Sequence, residues 1–81
     1  MPKYFYHVGD GRARDREGLW LDDLPSARLE AVRFTGHMLD QAAHAGWTGN
    51  AWSMQVCDEI GAVLWEISLA ITDGAGMRSP A

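Results

Sequence analysis

The sequence predicts an α+β fold, a short antiparallel sheet built from two hairpins with one amphipathic helix on one face, in the order β-β-α-β-β. Three observations carry that expectation. Residues 63–71 alternate apolar and other side chains behind a glycine-bearing turn, which is the period of a half-buried strand. Apolar residues between Leu24 and Ala45 recur every three or four positions, the period of a helix lying on a core. Lys3-Tyr4-Phe5-Tyr6-His7-Val8 is rich in aromatic and branched side chains and ends at Gly9-Asp10-Gly11, which is turn chemistry.

Along the first strand, Tyr4, Tyr6 and Val8 share one face and Phe5 and His7 the other. Arg12 to Asp15 reads as a short, exposed returning strand, Glu17-Gly18 as a break, and Leu19-Trp20-Leu21 as an apolar patch leading into the helix. Asp23 is placed to cap the helix by accepting from a first-turn amide, with Pro25 where no internal donor is needed. The stripe is Leu24, Ala27, Ala31, Phe34, Met38, Ala42 and Ala45, and Gly46 supplies the left-handed conformation that closes a helix. Gly36 interrupts the pattern at a cost of about 1 kcal/mol relative to alanine. After the loop Trp47–Asn50, Trp52, Met54 and Val56 alternate toward the core. Asp58-Glu59-Ile60-Gly61 then turns the chain, and Val63, Trp65, Ile67, Leu69 and Ile71 complete the second hairpin. Residues 1–71 form one domain in this reading, and 72–81 a flexible, small and polar tail.

Length and composition limit the function. A chain of 81 residues buries only about 60–65% of its unfolded surface and gains from further support. Cys57 is the single cysteine, so an intramolecular disulfide is excluded and oligomerisation is the open route. Eight aromatic residues, four of them Trp, and 47% apolar residues argue for a folded chain. Seven basic against eleven acidic residues give a net charge of −4, which argues against phosphate backbones and anionic lipid. The start lacks a basic segment followed by an apolar run, and the most apolar stretch, Ala62–Ile71, contains Glu66 and Ser68. No signal peptide or membrane span is expected, and the expected location is cytoplasmic.

The order of several of these residues is familiar. Met1-Pro2-Lys3-Tyr4-Phe5-Tyr6-His7, Asp10-Gly11, Glu17-Gly18, Leu24 with Ala27, Glu30-Ala31 and Val56-x-Asp58-x-x-Gly61-x-Val63-Leu64 together resemble a family of short bacterial proteins. Its members are mainly alphaproteobacterial and are catalogued only as a domain of unknown function. The resemblance covers about residues 2 to 71 and implies the same architecture through turns and core positions. It implies no catalytic residue. Arg12, Arg14 and Arg16 depart from the family, which tends to be acidic or mixed there.

Four constellations remain. His37 and His44 are seven residues apart on the helix with Asp40 between them, which is the nearest approach to a metal set. Helical ligand pairs are usually three or four residues apart, so ordinary polar residues on a solvated flank are the simpler reading, and no metal or cofactor is expected. Cys57 would need a base to act as a nucleophile; His7 could approach it across the sheet, but a semi-buried apolar role fits better. Arg12, Arg14 and Arg16 alternate, and an extended chain would point them one way toward phosphate or carboxylate. Asp10, Asp15 and Glu17 cancel most of that field. Trp20 and Trp47 flank the ends of the helix, either closing a thin core or anchoring a partner.

The second sheet face, with Phe5, His7, Cys57 and Leu64, is more apolar than a solvated face requires. Phe5, His7, Trp20, Trp47, Cys57 and Leu64 are therefore the interface candidates. The sequence points to a non-enzymatic interaction module acting as a homodimer or with a protein partner, through a free sheet edge or this second face. The alternatives are a DNA-linked, antitoxin-like regulator and, behind it, a His/Asp metal protein. The negative charge and missing helix-turn-helix pattern weigh against DNA.

Overall fold

The computed structural model describes residues 1–9 and 14–78. Strand β1 (Lys3–Val8) is followed by a two-residue β2 (Leu19–Trp20), helix α1 (Leu24–His44), β3 (Ala51–Cys57), β4 (Val63–Ala70) and one helical turn, α2 (Ala75–Arg78). The strands form one antiparallel sheet in the order β2-β1-β3-β4. The expected α+β architecture and element order are therefore present. The helix crosses from the β2 edge to return the chain beside β1, so β1 and β3 lie at the centre.

The helix begins where its chemistry allows. Asp23 is its N-cap and accepts the Ser26 N–H at 2.9 Å, with proline in the first turn. The Ser26 side chain first, and then this backbone bond, hold the Asp23 carboxyl below its ordinary value. Beyond Ala45, Gly46 takes φ +79° and donates to the Ala43 carbonyl, closing the last turn as a left-handed glycine does. Only Ala27 and Ala31 of the stripe are fully buried, while Phe34, Met38 and Ala42 are half-buried and Leu24 and Ala45 exposed. Two alanines at the contact let the helix approach closely. The volume beneath it is filled from the sheet by Tyr4, Tyr6, Met54 and Val56. Trp52 and Trp65, expected in the core, pack against this cluster half-buried.

Tyr6 ties the layers together. Its hydroxyl donates to the Ala27 carbonyl at 2.8 Å, and its ring meets Phe34 edge-on at 5.2 Å. Burial first, and then the negative charge of Glu30, pushes the phenol up to about 12.

The structure corrects three expectations. First, among the described residues the strand that pairs with the outer edge of β1 is not in the expected place, Arg12 to Asp15. Residues 12 and 13 lie outside the described residues, and Arg14 and Asp15 form no strand. The partner of β1 is Leu19–Trp20, with Tyr4 opposite Leu19 and Lys3 opposite Trp20. Asp15 is the physical reason. Its carboxylate accepts the N–H groups of Tyr6, Glu17 and Gly18 at 3.2, 3.1 and 3.0 Å, so the chain turns there. One side chain does for the outer edge of β1 what a strand backbone would otherwise do.

Second, Trp20 is a strand residue rather than part of a connecting segment. Third, the second hairpin changes register. Pairing runs regularly from Ala51↔Ala70 to Val56↔Trp65, then shifts to Cys57↔Val63, which leaves Leu64 as the extra residue of a β-bulge. A shift of one residue exchanges the faces. Leu64 joins the helix side against the core cluster, and Val63, expected inside, is 53% exposed. The turn below the bulge follows expectation. The Asp58 carboxylate accepts from Ile60 and Ala62, and Gly61 takes φ +86°.

Candidate interaction surface

Alternation along the strands and their register fix which side chains share the helix-free face. Phe5 lies opposite Cys57, His7 opposite Gln55, Gln55 opposite Glu66, and Ser53 opposite Ser68. Lys3 and Trp20 continue this face to the β2 edge. The β1 row is an aromatic track. The Lys3 ammonium sits 5.2 Å from the Trp20 ring centroid and 5.8 Å from that of Phe5, within reach of a cation–π attraction. Phe5 and His7 stack at 6.5 Å with their planes 15° apart. Trp20 is 54% exposed, so the track opens to solvent at its β2 end. Gly18 supports it from below. With φ +70°, its missing Cβ leaves room for the Phe5 ring and the Lys3 stem, which a methyl group would meet at 2.8 and 2.9 Å.

His7 is held by a backbone hydrogen bond. Its Nδ1 accepts the Asp15 N–H at 3.0 Å, so in the neutral ring the proton lies on Nε2. Burial pushes the Asp15 carboxyl up, but the N–H groups of Gly18, Tyr6 and Glu17, with His7 nearby, outweigh it, and the net shift is below the ordinary value. Toward β4 the face becomes polar. The Gln55 amide donates to Glu66 at 3.1 Å, and the Ser68 hydroxyl donates to the same carboxylate at 3.3 Å.

The six interface candidates separate. Phe5, His7, Trp20 and Cys57 share the helix-free face. Cys57 is buried and offers almost no surface. Leu64 is on the opposite face, and Trp47 folds its ring over Gly49 at the end of the helix. Cys57 does not gain a base. His7 faces Gln55 and is occupied by Asp15, and burial, followed by Asp58, raises the thiol against a smaller opposing effect of Arg14. A thiol so raised is protonated at neutral pH. His44 Nδ1 lies 2.9 Å from the Asp40 carbonyl on its own helix. Among the described residues, no three His, Cys, Asp or Glu side chains converge as a metal site, and His37 is exposed on the flank. The arginine stripe is not assembled over the described residues, since Arg14 and Arg16 lie exposed outside any strand.

Sequence reasoning missed two features. Lys3 reads in the sequence only as a strand residue, although its position opposite a tryptophan makes it the cation of the track. The other is the outer edge of β4. In an antiparallel ladder, pairs that exchange hydrogen bonds alternate with pairs that do not. Ile71 donates to the Asn50 carbonyl at 2.7 Å and Gly9 to Ser53 at 2.8 Å. Both bonds require Trp65, Ile67 and Leu69 to aim their backbone groups at β3, and Glu66, Ser68 and Ala70 to aim theirs outward. Among the described residues no backbone group answers that outward row. No described helix is long and apolar enough to cross a membrane.

The fold and this surface define a small ββαββ domain with the helix on one sheet face and a mixed aromatic and polar track on the other. Residues 3–70 match the family described as Domain of unknown function (DUF6894), and the chain belongs to that family. No curated protein and no solved structure matches it.

Proposed function

We propose that this chain is a non-enzymatic interaction module of the bacterial cytoplasm that works as a homodimer. The observation that carries this reading is the sheet's open side. One face lacks a helix, and the sheet ends in an eight-residue strand whose outer backbone groups have no partner among the described residues. Unpaired edges of this kind are templates for another strand. Proteins that keep them closed place proline, lysine or an inward-pointing charge there. In β4 the one charged residue is Glu66, on the helix-free face, and proline and lysine do not occur.

The non-enzymatic part rests on how the ionisable groups are used. His7, Asp15, Asp58 and His44 each have a hydrogen bond to nearby backbone that serves a turn or a helix. The thin core adds a thermodynamic reason. Four of the six buried side chains of its cluster, Ala27, Ala31, Met54 and Val56, are no larger than methionine, and association adds burial that a chain of this size otherwise lacks.

Sedimentation equilibrium over a hundredfold range of concentration should give a mass rising toward twice the 8.9 kDa of one chain. A mass that stays at one chain throughout would remove the homodimer from this reading.

A further inference from the structure

Resting on the homodimer proposed above, we infer that two copies join edge to edge through β4, antiparallel about a two-fold axis at Ile67, so that Glu66 of each faces Ser68 of the other. Three observations fix this geometry.

The first is the direction of the backbone groups. Since Glu66, Ser68 and Ala70 aim outward, only a register that sets these residues against one another exchanges hydrogen bonds across the edge. A two-fold axis then has to pass beside Glu66, Ile67 or Ser68. The second is charge. An axis at Glu66 would set the two Glu66 carboxylates directly opposite, which is destabilising. An axis at Ser68 pushes the overlap off the end of the strand, because β4 stops at Ala70. With the axis at Ile67, Glu66 meets a hydroxyl that already donates to a Glu66 carboxylate within one chain. Trp65 faces Leu69 and Ile67 faces itself, which continues the apolar row of the helix side across the junction.

The third is the groove above that row. Arg28, Ala31 and Val32 of α1 and Trp65, Glu66 and Ile67 of β4 line a hollow of about 270 Å³ at the edge. Val32 is 59% exposed there, although it lies next to the core. The two-fold axis brings the two hollows to the same side of the junction. The result is one eight-stranded sheet. Its two aromatic tracks, Trp20 to His7, lie on the same face, one in each half.

The test uses the full chain, with the dimer dissociation constant read by sedimentation equilibrium and folding checked by circular dichroism. Ser68 is exposed and its backbone N–H does not serve β3, so substitutions there leave the β3 pairing alone. Ser68→Glu sets like charges opposite at two symmetric places and should weaken the dimer about tenfold. Ser68→Lys should tighten it by a similar factor. Glu66→Lys combined with Ser68→Glu sets opposite charges across the edge again and should match the tighter constant of Ser68→Lys. Equal constants for Ser68→Glu and Ser68→Lys would overturn the edge-to-edge register while leaving a homodimer standing. A wild-type chain that stays monomeric would instead remove the homodimer itself. If Ser68→Glu fails to fold, Ser68→Lys alone decides, since a tighter dimer supports the register and an unchanged one contradicts it.

Discussion

Met54→Ala is expected to lower the unfolding free energy by about 2–4 kcal/mol, the range for emptying a methionine site in a packed core. Met54 is 1% exposed, and Met54 and Val56 are the largest fully buried side chains among the described residues. It sits on β3 beside the central strand β1, opposite Val8 on one side and Ile67 on the other. Ala27 and Ala31 of the helix are too short to fill the space, and of the longer helix side chains beside it Phe34 is held edge-on against Tyr6, which leaves Met38 to move. The site therefore collapses only in part, and collapse is what decides the cost. For a domain of this size the midpoint of thermal unfolding should fall by roughly 10–25 °C, against a total stability near the low end of about 5–15 kcal/mol. Urea unfolding of both proteins at equal concentration checks this. A loss under about 1 kcal/mol would mean that the core is not centred where the structure puts it.

Asp15→Ala should cost about 2–3 kcal/mol, comparable to a core deletion although the residue lies in a loop. Its carboxylate satisfies the N–H groups of Tyr6, Glu17 and Gly18, and bonds to a charged acceptor are worth about 1.5–3 kcal/mol each when buried, less where solvent screens them. Asp15→Asn keeps one acceptor oxygen and should lose about half as much. The pH dependence follows from the direction of the shift. The folded-state pKa of Asp15 lies below its ordinary value, so its contribution is complete above the unfolded-state value near 4. It is lost as pH falls further, through the folded-state value. Asp23 is lowered as well, so acid destabilises the wild type through both groups. The difference between wild type and Asp15→Asn isolates the first. That difference should be full at pH 7 and shrink below pH 4 in urea titrations. Parallel curves across that range would show that the carboxylate's charge does not hold the turn.

Periodicity made the helix and the second hairpin legible, because each has one side against a core and its apolar residues repeat at the matching period. Asp23, Gly46 and Gly61 were readable for the same local reason, since each is set by a conformation or an orphan amide within a few residues. What periodicity could not supply was any feature set by a partner strand. The bulge at Leu64 is a mismatch between β3 and β4, and nothing in Val63-Leu64-Trp65 alone distinguishes which residue is extra. The returning strand was misplaced because Asp15 looks in sequence like one more charged residue of a solvated tip. Its role depends on the outward N–H of Tyr6, nine positions away. Of the candidate surface, Phe5 and His7 are legible as an apolar second face, and Trp20 as a tryptophan that either closes a thin core or anchors a partner. Lys3, Glu66 and Ser68 are not, because their meaning comes from register and strand order.

The central claim is that the outer edge of β4 pairs with a second copy. Residue-resolved amide hydrogen exchange at low and high protein concentration addresses it most directly. The amides of Trp65, Ile67 and Leu69 donate within the chain and should be protected at every concentration. Those of Glu66, Ser68 and Ala70 should exchange rapidly in dilute protein and slow by at least about tenfold as the dimer fills, because the edge then has an acceptor row. Rapid exchange at Glu66, Ser68 and Ala70 in concentrated protein of doubled mass would contradict the claim and place the contact elsewhere.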